Sequence, residues 1–79
     1  MIEHTALTDS ELFTLIRRGK ITVAGNRRLR IYGKLDCVSG KRMKRRNRVF
    51  FTSEAEAHQL GYRPCGNCMR GEYLKWKRR

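Results

Sequence analysis

Two cysteines separated by two residues, Cys65 and Cys68 in "YRPCGNCM", have the spacing of a metal-ligand pair. In a tight turn both sulfurs reach one zinc ion at about 2.3 Å, and a structural zinc takes four such ligands. A redox role for C-x-x-C needs a thioredoxin-like βαβ context, and the order of elements here does not supply one. The plainer alternative is a pair of unrelated buried cysteines. The chain has one more cysteine, Cys37, which is the candidate third ligand. For a fourth, the sequence offers His4, His58, Asp36 or a water molecule.

These residues must be positioned by a small fold. The chain has 79 residues, 39% hydrophobic and 33% charged, which suits one domain over 1–79 with a modest core. A metal staple is a common remedy at this size. No apolar run is long enough for a membrane helix, and the opening "MIEHTALTDSE" lacks the pattern of a secretory signal. An odd number of cysteines argues against a disulfide framework, so thiolates in a reducing cytoplasm are expected.

The first helix is expected over 8–18. Thr8 and Glu11 form a capping box, Leu7 and Leu12 a hydrophobic staple, and Gly19 a C-terminal stop. Leu12, Leu15 and Ile16 give it one apolar face. "KITVAGNRRLRIYG" reads as a hairpin with Gly25-Asn26 at its turn, and Ile21, Val23, Leu29 and Ile31 alternate with polar neighbours. "RVFFT", 48–52, reads as a third strand. A short helix follows, capped by Ser53 with Glu56 three residues on and ended by Gly61. A last helix starts near Pro64-Cys65 and carries Met69, Tyr73 and Trp76 at spacings of four and three, read as a core face. The fold class is therefore α+β: a three-stranded sheet flanked by short helices. Repeats and long linkers are absent. The C-terminal "KWKRR" is expected to fray, Asp36 is a hard oxygen donor beside Cys37, His58 is read as exposed on the short helix, and His4 as part of a flexible terminus.

Nineteen Lys and Arg stand against seven Asp and Glu, a net charge of +12. This asymmetry points to a polyanionic partner, nucleic acid first. The densest stretch, "GKRMKRRNR", places Lys41, Arg42, Lys44, Arg45, Arg46 and Arg48 in nine residues. Near a metal site they could grip DNA backbone phosphates; the bland alternative is a solvated loop. No recognition-helix pattern supports base-specific readout.

The stretch "NRVFFTSEAEAHQLGYRPCGNC", 47–68, resembles the metal-binding domain of the Ada DNA-repair protein, which has a strand, a short SxxEA helix and then G-[FY]-R-P-C-x-x-C. Asn47, Val49, Phe51, Glu56, Ala57, Gly61, Tyr62, Arg63, Pro64, Cys65 and Cys68 match as they stand. The run between Cys37 and Asn47 is similar to the single-domain members, so the resemblance spans 31–69. It implies a zinc ion held by four cysteines, the first of which accepts a methyl group from a methylated DNA phosphate in a one-shot reaction. It also implies basic residues that hold the DNA backbone.

The sequence departs from this pattern at the first two ligands, spaced C-x-x-x-C in the family. Counted back from Cys65 without gaps, Cys37 takes the second position and Gly33 the first, where no side chain can accept a methyl group. In that register the chain is a DNA-phosphate-binding zinc module and not an enzyme. The other register puts Cys37 on the acceptor and Lys41 on the second ligand, and requires gaps in the basic run. It would make the chain a stoichiometric methyltransferase. A third reading is a structural zinc module whose charge serves ribosomal or protein partners.

Overall fold

The computed structural model describes residues 1–37 and 43–78. Its centre is a five-stranded sheet built from β1 (Ile2–Glu3), β2 (Val23–Asn26), β3 (Ile31–Lys34), β4 (Arg48–Phe51) and β5 (Arg63–Pro64), in the order β1-β4-β2-β3-β5. The three expected strands are its middle. The two edge strands have two residues each, too short to show a period-two pattern in sequence. All pairings are antiparallel except β3 with β5.

Both faces of the sheet are covered. Val49, Phe50 and Phe51 of β4 are all buried, and their alternation sends them to opposite sides. Val49 and Phe51 join Val23, Tyr32, Ala57 and Tyr62, with Met69 packed alongside. Phe50 joins Ile21 and Ala24, and Ile2, Leu7, Leu12, Leu15 and Leu35 pack over them. Ala57 comes from α2 (Glu54–Gln59); Leu12 and Leu15 come from α1 (Asp9–Arg17). The sheet is thus a two-sided core between α1 and α2, which is how a chain this short buries aromatic side chains.

The expected capping box of α1 is complete: Thr8 Oγ1 accepts from Glu11 N–H at 3.1 Å, and Glu11 accepts from Thr8 N–H at 2.9 Å. Ile16 departs from expectation. It is 38% exposed, because the stripe that meets the sheet is carried by Leu12 and Leu15 alone. On α2, Ser53 caps Glu56 N–H at 3.1 Å, but the Glu56 carboxylate turns away to Thr52 N–H and the N-terminal amine, so the box is half formed. Gly19 and Gly61 both take positive φ at helix ends, as expected.

The hairpin turn lies later than Gly25-Asn26. Both residues belong to β2, and the turn is 27–30, organised by Asn26 Oδ1, which accepts from Arg28 and Leu29 N–H at 2.9 and 3.1 Å. Leu29 therefore sits in the turn, 60% exposed, not in a strand. Gly25 is needed for space: a Cβ there would lie 2.8 Å from a Phe51 ring carbon.

The last helix, α3 (Arg70–Lys77), begins later than Pro64-Cys65. Pro64 is used in β5, and 65–69 form the turns that carry the cysteines. Tyr73 and Trp76 stack at 6.0 Å between ring centroids, and the Arg63 guanidinium lies over both rings. No helix among the described residues is long and apolar enough to cross a membrane.

Candidate metal centre

Strand β3 holds all three cysteines. The Tyr32 carbonyl accepts from Cys65 N–H at 2.7 Å, and the Lys34 carbonyl accepts from Cys37 N–H at 3.1 Å. Lys34 N–H in turn donates to Cys68 Sγ at 3.3 Å. Asn67 N–H donates to Cys65 Sγ at 3.4 Å inside the C-x-x-C turn. Residues 28 positions apart in sequence thus meet at one strand.

The three sulfurs lie within 4.8 Å of one another, and Cys37 and Cys65 are 4.0 Å apart. Two thiolates bound to one tetrahedral zinc sit about 3.8 Å apart, so the donor set and its spacing fit a single zinc ion. Cys37 is buried, while Cys65 and Cys68 are half-buried. Burial, above all, and then the neighbouring Cys37 and Cys65, push the Cys68 thiol up to about 11, against a partial opposing pull from the Lys34 amide. Cys68 is thus a poor anion by itself. A divalent cation reverses that balance, since its charge outweighs both effects.

No histidine or carboxylate joins the sulfurs among the described residues. His58 is engaged elsewhere: its Nε2 lies 2.8 Å from the Tyr32 hydroxyl, on the far side of β3's backbone network. Burial, then Glu54, raises that hydroxyl to about 12. Asp36, offered by the sequence as an oxygen donor, is exposed and is not among the clustered residues. His4 is no flexible terminus. It sits in a 3-10 turn, half-buried, with its ring edge-on to Phe50 at 5.2 Å.

Gly33 borders the three cysteines. A Cβ on Gly33 would lie 2.7 Å from Cys68 Sγ, 3.2 Å from Cys65 Cβ and 3.8 Å from Cys37 Cβ. Any side chain at 33 would therefore enter the thiol cluster. Beside it is a mainly apolar hollow of about 230 Å³ lined by Leu29, Ile31, Met43, Cys37 and Cys65.

The basic run divides. Lys44 and Arg46 are exposed. The Arg45 guanidinium donates to the Leu7 carbonyl and lies 3.8 Å from Asp9, tying the run to the start of α1. Arg48 is half-buried, donates to the Leu35 carbonyl at 3.0 Å and covers the Phe50 ring at 5.2 Å. Lys41 and Arg42 lie outside the described residues.

Sequence reasoning did not find the Lys34 and Asn67 amides that aim at sulfur. Backbone donors leave no mark on residue type, so only the turn chemistry around C-x-x-C hinted at the second. A search of curated proteins and a search of solved structures each return no match. The family model described as the metal binding domain of Ada matches residues 17–70, a stretch that includes β2 through β5 and all three cysteines. With that match over more than half of its length, and a three-thiolate cluster at the expected place, the chain belongs to the Ada metal-binding domain family.

Proposed function

We propose that this chain is a zinc-stapled module that binds DNA through backbone phosphates and has lost the methyl acceptor of its family. The observation that carries the reading is the position of Gly33. Its missing side chain would point into the cysteine cluster, 2.7 Å from Cys68 Sγ, where a fourth thiolate would enter. Gap-free counting from Cys65 puts the acceptor at the same residue, so sequence register and geometry support each other.

Zinc here supplies charge for three thiolates and a cross-link between β3 and the turns after β5. The protein's own residues do the rest. The Lys34 and Asn67 amides orient two sulfurs, and Lys44 and Arg46, with Lys41 and Arg42 of the same run, offer cations to phosphate. Use of Cys37 as the acceptor is disfavoured by its burial, 8% exposed, which leaves its sulfur little access to a DNA phosphate.

The test is intact mass after incubation with methylphosphotriester DNA, alongside duplex binding across a salt series. No mass gain, with binding that weakens steeply in salt, is the expected result. A methyl group on Cys37 would replace this reading with stoichiometric methyl transfer. Absence of duplex binding at low salt would favour a structural module for protein or ribosomal partners.

A further inference from the structure

A second recess lies away from the cysteines. It is a hollow of about 260 Å³ between the hairpin turn, α2, β5 and α3, lined by Arg30, His58, Tyr62, Arg63, Trp76 and Leu29. None of the three cysteines borders it, and no carboxylate does. Trp76 lies beyond the stretch that matches the family, so this wall is a feature of the chain itself.

We propose that this recess binds one unpaired nucleotide of a DNA strand, its phosphate held by Arg30 and Arg63 and its base against Trp76. Both guanidiniums are fixed in advance. Arg30 donates to the Leu60 carbonyl at 3.4 Å and lies 5.5 Å above the Tyr62 ring. Arg63 donates to the Pro64 carbonyl at 3.2 Å and lies 5.2 and 5.7 Å from the Tyr73 and Trp76 ring centres. A guanidinium has five N–H donors, so each keeps most of them for an anion. Among the described residues neither forms an ion pair with a carboxylate. Two prepaid cations beside an indole match a nucleotide, which carries its charge and its flat apolar face one bond network apart. A duplex does not present that pair, because its bases are stacked inside. An acidic peptide would use the cations and leave the indole idle.

Trp76 is the only tryptophan in the chain, so its fluorescence reports the recess directly. The experiment titrates the full zinc-loaded chain with an oligothymidylate of about eight nucleotides, following fluorescence and, with labelled strand, anisotropy. Quenching should saturate together with anisotropy. Trp76→Leu should weaken single-strand binding about tenfold, with Trp76→Phe restoring most of it and both variants keeping one zinc and the wild-type melting temperature. Unchanged fluorescence on a bound strand, no binding of the strand, or wild-type affinity in Trp76→Leu would overturn the proposal. Equal quenching by an oligoglutamate of matched charge would also overturn it, since the recess would then read charge alone. Duplex binding measured in parallel separates this site from the proposed phosphate grip: a strand that quenches without duplex binding sinks only the latter, and the reverse sinks only the former.

Discussion

Gly33 and Cys68 approach so closely that a single added methyl group would bring them to 2.7 Å. That is below any ordinary carbon–sulfur contact, and the Cys68 sulfur is held in place by the Lys34 amide. Gly33→Ala must therefore push Cys68 off that amide or bend β3. The expected outcome is a loss of about 1–3 kcal/mol of stability, as for other overpacked sites, together with weaker zinc binding in a chelator competition. Wild-type zinc affinity in Gly33→Ala would mean that residue 33 does not face the metal, and the assignment of the acceptor position would fail with it.

Removal of zinc tests the staple. The cluster joins β3 to the turn after β5, and β5 is an edge strand held to the sheet by only two paired residues. Metal binding to such a site is folding free energy. Stripping the metal with a strong chelator, with removal verified by metal analysis, should lower the melting temperature by about 12–24 °C if 3 kcal/mol is lost, given the sensitivity of domains this size. Cys65→Ser and Cys68→Ser should each approach that loss. His58→Ala removes the contact with the Tyr32 hydroxyl and the edge-on packing of the two rings, and should cost about 1 kcal/mol. Equal losses in the cysteine and histidine variants would make His58 a ligand.

The sequence carried the parts of this fold that rest on residue type, and missed those that rest on where the backbone goes. Thr8 with Glu11, and Gly19 and Gly61 at helix ends, announce themselves because capping chemistry demands those side chains. The strand at 48–51 is legible from its aromatic and β-branched run. Gly25-Asn26 misled because both suit a turn, yet Gly25 is required by the Phe51 ring and Asn26 acts on the turn from the strand before it. β5 was hidden because two residues around a proline show no alternation. At the site, Cys65, Cys68 and Cys37 were visible as ligand types, while their meeting at Gly33 was reached only through resemblance. Charge in a sequence likewise does not reveal that the Arg48 guanidinium is laid over Phe50.

His4 gives the fold an acid-sensitive corner. Burial first, then the charges of Arg45 and Arg48, lower its pKa from an ordinary value near 6.5, with Asp9 offsetting part of the effect. The folded chain thus favours neutral His4, while the unfolded chain takes up a proton near the ordinary value. The linked stability is fully present above that value and declines as pH falls below it. His4→Phe keeps an edge-on ring against Phe50 and removes the titration. Its melting temperature relative to wild type should therefore rise between about pH 8 and about pH 5. Comparing the two proteins at each pH cancels the loss of zinc in acid, which both share. A constant difference would show that His4 titrates alike in both states.

The division within the basic run yields a prediction that charge alone would not. Lys44 and Arg46 are exposed, whereas Arg48 is half-buried and bonded to the Leu35 carbonyl. Replacing Lys44 and Arg46 together with alanine should leave the melting temperature close to wild type and make the salt dependence of duplex binding shallower by about 1.8 in slope, roughly 0.9 for each lost phosphate contact. Arg48→Ala should do the opposite. It uncovers Phe50 and strands the Leu35 carbonyl, so it should lower stability by about 1–3 kcal/mol while changing the salt slope little. Measured side by side, the two variants separate cations that meet DNA from one that holds the sheet together. Equal salt slopes for wild type and the Lys44/Arg46 double variant would remove this face from the DNA contact.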